Sequence, residues 1–153
     1  MFRGLTAINL DGKGRMAMPA RYRSKLEKDA NGTLVVTIDT EQPCLLLYSY
    51  PQWELIERKL EALSSFNPVT RRIQRLLMGH ATELEMDGSG RVLLPPLLRE
   101  YAGLERSVML VGQGKKFEIW GEAQWTQARE HWLKEHIRQG EQGIPPELEQ
   151  LSL

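Results

Sequence analysis

Apolar positions along the chain follow two different periods. Residues 33–39 (TLVVTID) and 44–48 (CLLLY) are β-rich runs with Glu41-Gln42-Pro43 between them, and they predict a hairpin. Residues 108–111 and 117–120 predict a second hairpin across Gly112-Gln113-Gly114. Residues 4–10 alternate imperfectly, Leu5 and Ala7 against Thr6, and predict a first strand; residues 80–86 predict its later counterpart. Helical spacing takes over at Tyr50-Pro51, where Ser49 is the expected cap and Trp53, Ile56, Leu60 and Leu63 the expected buried face. Phe66-Asn67-Pro68 breaks that helix. A second runs over 69–78, with Ile73, Leu76 and Leu77 on one face and Arg71, Arg72 and Arg75 on another, and Gly79 ends it. A last helix over 123–139 is expected to bury Trp125, Ala128, Trp132 and Ile137.

Between the first strand and the first hairpin lies the stretch NLDGKGRMAMPARYR (9–23). Asp11-Gly12 is a strong turn signal, because glycine accepts positive φ and aspartate hydrogen-bonds its own turn. Gly14 keeps the far side of the turn free of bulk, so Lys13 and Arg15 flank an open loop. Met16, Ala17 and Met18 leave it as an apolar run. Pro19 suits the start of a helix over 20–26, which carries Arg21, Arg23 and Lys25.

That stretch is written twice. Asp87, Gly88, Gly90, Arg91 and Pro95 match Asp11, Gly12, Gly14, Arg15 and Pro19 at a constant offset of 76, ahead of a helix over 96–101 that Gly103 stops. The segment 44–53 aligns with 116–125 at an offset of 72, with Gln52-Trp53 opposite Gln124-Trp125. Two copies do not make a solenoid. They make a duplicated half-domain, each half too small to hold a core alone, so the halves are expected to pack face to face.

The order of strand, DxKGR turn, proline and basic helix, repeated as DxxGR, resembles the MraZ family over roughly residues 1–140. The resemblance implies a transcriptional regulator built from two tandem AbrB-like (SpoVT-AbrB) modules. It implies an α+β fold, a pseudo-two-fold swapped-hairpin (double-split) β-barrel with helices packed outside. The halves would span 1–67 (strand core about 5–53) and 68–140 (strand core about 80–125); residues 141–153, with two prolines, three glutamates and no basic residue, are expected from their composition to form a mobile tail. The resemblance also implies ring-shaped homo-oligomers that bind short G-rich direct repeats in the promoter of their own division and cell-wall gene cluster, repressing it.

Composition sharpens this in one respect. The 153 residues balance to a net charge of zero, which by itself argues against a nucleic-acid partner. The distribution reverses that argument: residues 1–28 hold seven basic side chains against Asp11 and Glu27, a net of +5. Local potential is what a phosphate backbone meets, since salt screens fields beyond about 8 Å. No apolar run is long enough to cross a membrane, and residues 1–11 lack the apolar core of a signal peptide, so a cytoplasmic chain with no membrane partner is expected, and the family resemblance implies that it is nucleoid-associated. The one cysteine, Cys44, lies in an apolar strand as an expected inert thiol.

Catalytic chemistry finds no foothold. His80, His131 and His136 do not form a ligand set, and there is no GxxxxGK[ST], GxSxG or CxxC pattern. No enzyme activity, metal, cofactor or small-molecule substrate is expected. The expected DNA-binding residues are Lys13, Arg15, Arg3, Arg21 and Arg23, with Arg91 and Arg99 secondary, because the second copy has Ser89 for Lys13 and Leu97 for Arg21. Asp11, Gly12, Gly14, Asp87, Gly88 and Gly90 are expected to form the turns. From the residues alone two roles stand open for Arg15 and Arg91: a fork aimed at guanine or phosphate, or a partner for Asp11 and Asp87 that pins the turn. A single loop contributes too little energy for useful specificity, so oligomerisation on double-stranded DNA is expected. The rival reading is an AbrB-like protein-interaction module of antitoxin type.

Overall fold

The computed structural model describes residues 1–135 and 143–151. In chain order the elements are β1 (Phe2–Asn9), β2 (Arg15–Ala17), α1 (Ala20–Ala30), β3 (Thr33–Ile38), β4 (Leu45–Ser49), α2 (Tyr50–Ala62) and α3 (Pro68–Gly79). The second half follows as β5 (Thr82–Glu85), β6 (Arg91–Leu93), α4 (Pro96–Tyr101), β7 (Ser107–Gly114), β8 (Lys116–Gly121), α5 (Glu122–Lys134) and α6 (Pro146–Glu149).

Six strands form one antiparallel sheet in the order β1-β7-β8-β4-β3-β5, and β2 pairs with β6 in a separate antiparallel ribbon. The halves therefore interleave rather than stack face to face. Each hairpin, β3–β4 or β7–β8, accepts the first strand of the other half at its outer edge. Exchange of this kind buries both edges of each hairpin within one sheet. Among the described residues β1 and β5 remain sheet edges, so the hydrogen-bonded ladder is open.

Burial explains the sequence pattern. β3 and β4 are buried almost throughout, because one face meets the main core and the other, through Val35, Leu46 and Tyr48, meets Trp53 of α2. β1 departs from expectation: Leu5 and Ala7 face outward, while Phe2, Ile8 and Leu10 turn inward. The larger aromatic decides which face is buried. Phe2 stacks on Phe117 at 4.3 Å and meets Tyr22 edge-on at 5.7 Å, and a period-2 strand then exposes the odd positions. In α2, Trp53 and Leu60 are buried as expected and Ile56 is half-buried, but Leu63 lies past the helix end and is exposed. In α5, Trp125 and Ala128 are half-buried and Trp132 is exposed, against expectation. Trp132 touches Trp120 and Trp125 only edge-on, at 5.7 and 6.0 Å, so it sits at the rim of that aromatic cluster. The expected continuation of this helix, with Ile137, lies outside the described residues, as do residues 141, 142, 152 and 153 of the expected tail; its described part, 143–151, contains α6.

Candidate nucleic-acid interface

The site begins with two identical turns. Asp11 Oδ1 accepts from the backbone N–H groups of Lys13 and Arg15, both at 2.9 Å. The Asp11 carbonyl accepts from the Gly14 N–H at 3.0 Å, and the Asp11 N–H donates to the Arg15 carbonyl at 3.1 Å. The turn thus spans 11–14 instead of closing on Asp11-Gly12. Positive φ falls at Gly14 (86°) and Gly90 (75°), not at Gly12 or Gly88, where sequence reasoning put it. Asp87 repeats the arrangement with Ser89 and Arg91, again at 2.9 Å to each N–H.

The aspartates also hold the arginines. Arg15 Nε donates to Asp11 Oδ2 at 2.6 Å, and Arg91 Nε donates to Asp87 Oδ2 at 3.0 Å. The Arg15 backbone N–H is the main cause that lowers the Asp11 pKa to about 2; the Arg15 side chain and Lys13 N–H add to it, against some desolvation. Asp87 is lowered too, foremost by the Arg91 N–H. Each of these bonds runs through Nε, so the two Nη groups, which form the end-on fork for guanine or phosphate, make no hydrogen bond to the turn's own aspartate.

Pairing of β2 with β6 then joins the two turns. The register is Arg15↔Leu93, Met16↔Val92 and Ala17↔Arg91. Met16 and Val92 are fully buried, so strand alternation turns Arg15, Ala17, Arg91 and Leu93 outward together. Arg91 Nη1 comes within 3.9 Å of Asp11 Oδ2, the oxygen that Arg15 Nε already holds. Two guanidinium groups from residues 76 apart therefore meet over one carboxylate oxygen. Reciprocal backbone bonds lock the crossing: Met18 N–H to the Gly90 carbonyl at 2.9 Å and Leu94 N–H to the Gly14 carbonyl at 3.1 Å.

The other expected basic residues divide into two groups. Arg23 donates from Nη2 to the Met18 carbonyl at 2.9 Å and packs against Gly90; Arg99 donates from Nε to the Leu94 carbonyl at 3.0 Å and packs against Gly14. Both are half-buried, and their observed contacts are with the protein's own turns. Arg3 and Arg21 lie elsewhere, on β1 and α1, linked through Thr6 and Tyr22. Arg21 donates to Thr6 Oγ1 and lies over the Tyr22 ring at 4.6 Å, while the Tyr22 hydroxyl donates to the Arg3 carbonyl. Lys13 is exposed at the tip of the first turn.

The family model described as "MraZ protein, putative antitoxin-like" matches twice, over residues 1–76 and 77–142. The chain belongs to the MraZ family. It is 65% identical to the transcriptional regulator MraZ of Coxiella burnetii (strain RSA 493 / Nine Mile phase I), with both chains covered in full. The Legionella pneumophila (strain Paris) and Alkalilimnicola ehrlichii regulators of the same name are 54% and 56% identical, also over the full length of both.

Among the described residues of this MraZ-family chain no helix is long and apolar enough to cross a membrane. Cys44 Sγ lies 3.7 Å from Asp39 Oδ2, and Glu118 is close enough to make three potential ligand atoms within 4.8 Å of one another. Burial, then the charges of Glu118 and Asp39, push the thiol pKa far up, and the thiol donates to Asp39 Oδ2. His80 Nδ1 bonds the Leu76 carbonyl at 2.7 Å, His131 pairs with Glu135 at 3.1 Å, and His136 lies outside the described residues. Arg71, Arg72 and Arg75 lie exposed on α3.

The approach of Arg91 to Asp11 was not foreseen from either turn alone. The constant offset of 76 between the turns was the available signal. Two equal turns in one chain can be related by a pseudo-two-fold axis, and here it passes through the Met16–Val92 pair.

Proposed function

We propose that this chain is a sequence-specific DNA-binding transcriptional regulator that works as a homo-oligomer. The observation that carries the reading is the convergence of Arg15 and Arg91 on the outward face of the β2–β6 ribbon, with Lys13 free at one end. A two-stranded ribbon fits the major groove, and arginine forks pair with guanine O6 and N7. The named relatives, all transcriptional regulators, support it. In this reading Arg3 and Arg21 contact flanking phosphates, and Arg23 and Arg99 position the two turns. The exchange of β1 and β5 between halves supports a swapped-hairpin barrel as the working unit.

One ribbon covers few base pairs, so several subunits bind direct repeats at once, in a ring joined through outer helix faces such as the arginines of α3 and the exposed Trp132 and Leu133 of α5. The promoter of the chain's own gene cluster is the proposed target and repression the proposed effect. The test is a titration at stated salt of duplexes carrying one, two and three copies of that promoter element against scrambled duplex, with light scattering alongside. Affinity that climbs with repeat number, on an assembly larger than a dimer, is expected. Equal affinity for scrambled DNA, or a monomer at micromolar concentration, overturns the reading.

A further inference from the structure

We propose that Leu93 reads the 5-methyl group of a thymine beside the base pair contacted by Arg15, which makes the ribbon an asymmetric reader. The inference rests on the DNA-binding reading above. Leu93 is the cross-strand partner of Arg15, so both side chains rise from the same face, with Cβ atoms about 5 Å apart. It is 52% exposed although it stands in a strand whose next residue, Leu94, is fully buried. An isobutyl group held in water between two guanidinium groups costs solvation, and nothing in the described structure covers it.

The neighbours of Leu93 indicate what kind of occupant fits. An apolar protein partner seated on Leu93 would also have to bury Arg15, Arg91 and their aspartates, and desolvating those charges opposes docking. The major groove presents what this face needs. Guanine O6 and N7 meet a guanidinium fork, and on a neighbouring pair the thymine methyl is an apolar spot. Base pairs step by about 3.4 Å along each strand, and the ribbon spaces its outward residues at about twice that rise. Along one strand of the ribbon, outward residues thus fall two base-pair steps apart, while the cross-strand separation of about 5 Å between Arg15 and Leu93 is short enough to place them on neighbouring pairs.

The pseudo-two-fold axis makes the idea specific. Leu93 corresponds to Ala17, the partner of Arg91, and Lys13 corresponds to Ser89. Two like arginine ends alone would favour a palindrome. Leucine reaches past its backbone toward a base edge where alanine stops at Cβ, so only the Arg15 end grips a methyl group firmly. A reader with one methyl-sensing end has a direction, which suits head-to-tail repeats.

The test uses the full chain and a duplex selected from a random pool for tightest binding. Each thymine is replaced in turn by deoxyuridine, which removes the methyl group and keeps the O4 acceptor. One position per element is expected to weaken binding by about four-fold, the worth of one buried methyl group. Leu93→Ala is expected to melt like the unaltered chain, keep its assembly size and lose the thymine preference at that position. Specific binding that is indifferent to deoxyuridine everywhere overturns the methyl reading while leaving the regulator reading intact. Absence of any sequence-specific binding sinks the regulator reading itself. An altered assembly size in Leu93→Ala makes the residue a subunit contact and also overturns the proposal. If that variant does not fold, the deoxyuridine series on the unaltered chain decides alone.

Discussion

The guanidinium of Arg99 occupies the space that a side chain on Gly14 would need. A Cβ built on Gly14 would meet Arg99 Nε and Nη1 at 2.7 Å, and Gly90 stands in the same relation to Arg23. Each turn of one half is thus roofed by an arginine from the helix of the other. That arginine is pinned by a carbonyl just past its own ribbon strand, Leu94 for Arg99 and Met18 for Arg23.

Gly14→Ala is therefore expected to destabilise the chain by about 1–3 kcal/mol, since alanine resists a φ of 86° and Arg99 must also move. Gly12→Ala is the control, because open space surrounds that position and its φ is not positive. Thermal melts of both variants check this. Equal melting temperatures would mean that Arg99 packing and the backbone conformation at Gly14 carry no weight.

Arg15→Lys is expected to lose sequence preference almost as fully as Arg15→Ala, since lysine keeps the charge but not the fork. The loss should approach about 1–3 kcal/mol per engaged ribbon. Lys13→Ser should act differently, weakening binding to all sequences alike and reducing the salt slope by about one for each phosphate it no longer neutralises. Titrations at several salt concentrations separate the two outcomes, and a lysine variant with intact preference would exclude bidentate readout.

Asp11 is expected to titrate near 2 in the folded chain, well below its ordinary 3.8. The carboxylate is more acidic folded than unfolded, so it favours the folded state above pH 3.8. That contribution fades as pH falls from 3.8 toward about 2. Because the Arg15 backbone N–H is the foremost cause, Arg15→Ala should retain most of the depression. Carboxyl NMR titration of both chains tests this, and a full return to 3.8 in the variant would hand the effect to the side-chain pair instead.

Cys44 should resist alkylation in the folded protein, since it is fully buried and its pKa is raised. Mass spectrometry after iodoacetamide treatment should find it modified only once denaturant unfolds the chain. Rapid modification under native conditions would require the β3–β4 hairpin to open readily.

Local chemistry in the sequence was enough to specify the elements, the duplicated turns and the basic first 28 residues. A buried strand such as 45–49, a proline-started helix or an Asx turn depends on residues a few positions apart, so its signal is written in one place. The pairing of strands was not so written. Two near-equal repeats make every contact within a half chemically similar to one between halves, and a pattern of period two says which face is buried but not against what. Packing in three dimensions removed that degeneracy. It sent β1 to β7 and β5 to β3, and it turned Phe2 inward in place of Leu5. It also drew Arg23 and Arg99, expected to bind DNA, each onto the turn of the opposite half. Only this crossing brings Arg15 and Arg91 to one oxygen of Asp11 and leaves Leu93 in the open, because antiparallel register, and nothing local to either turn, decides which residues share a face.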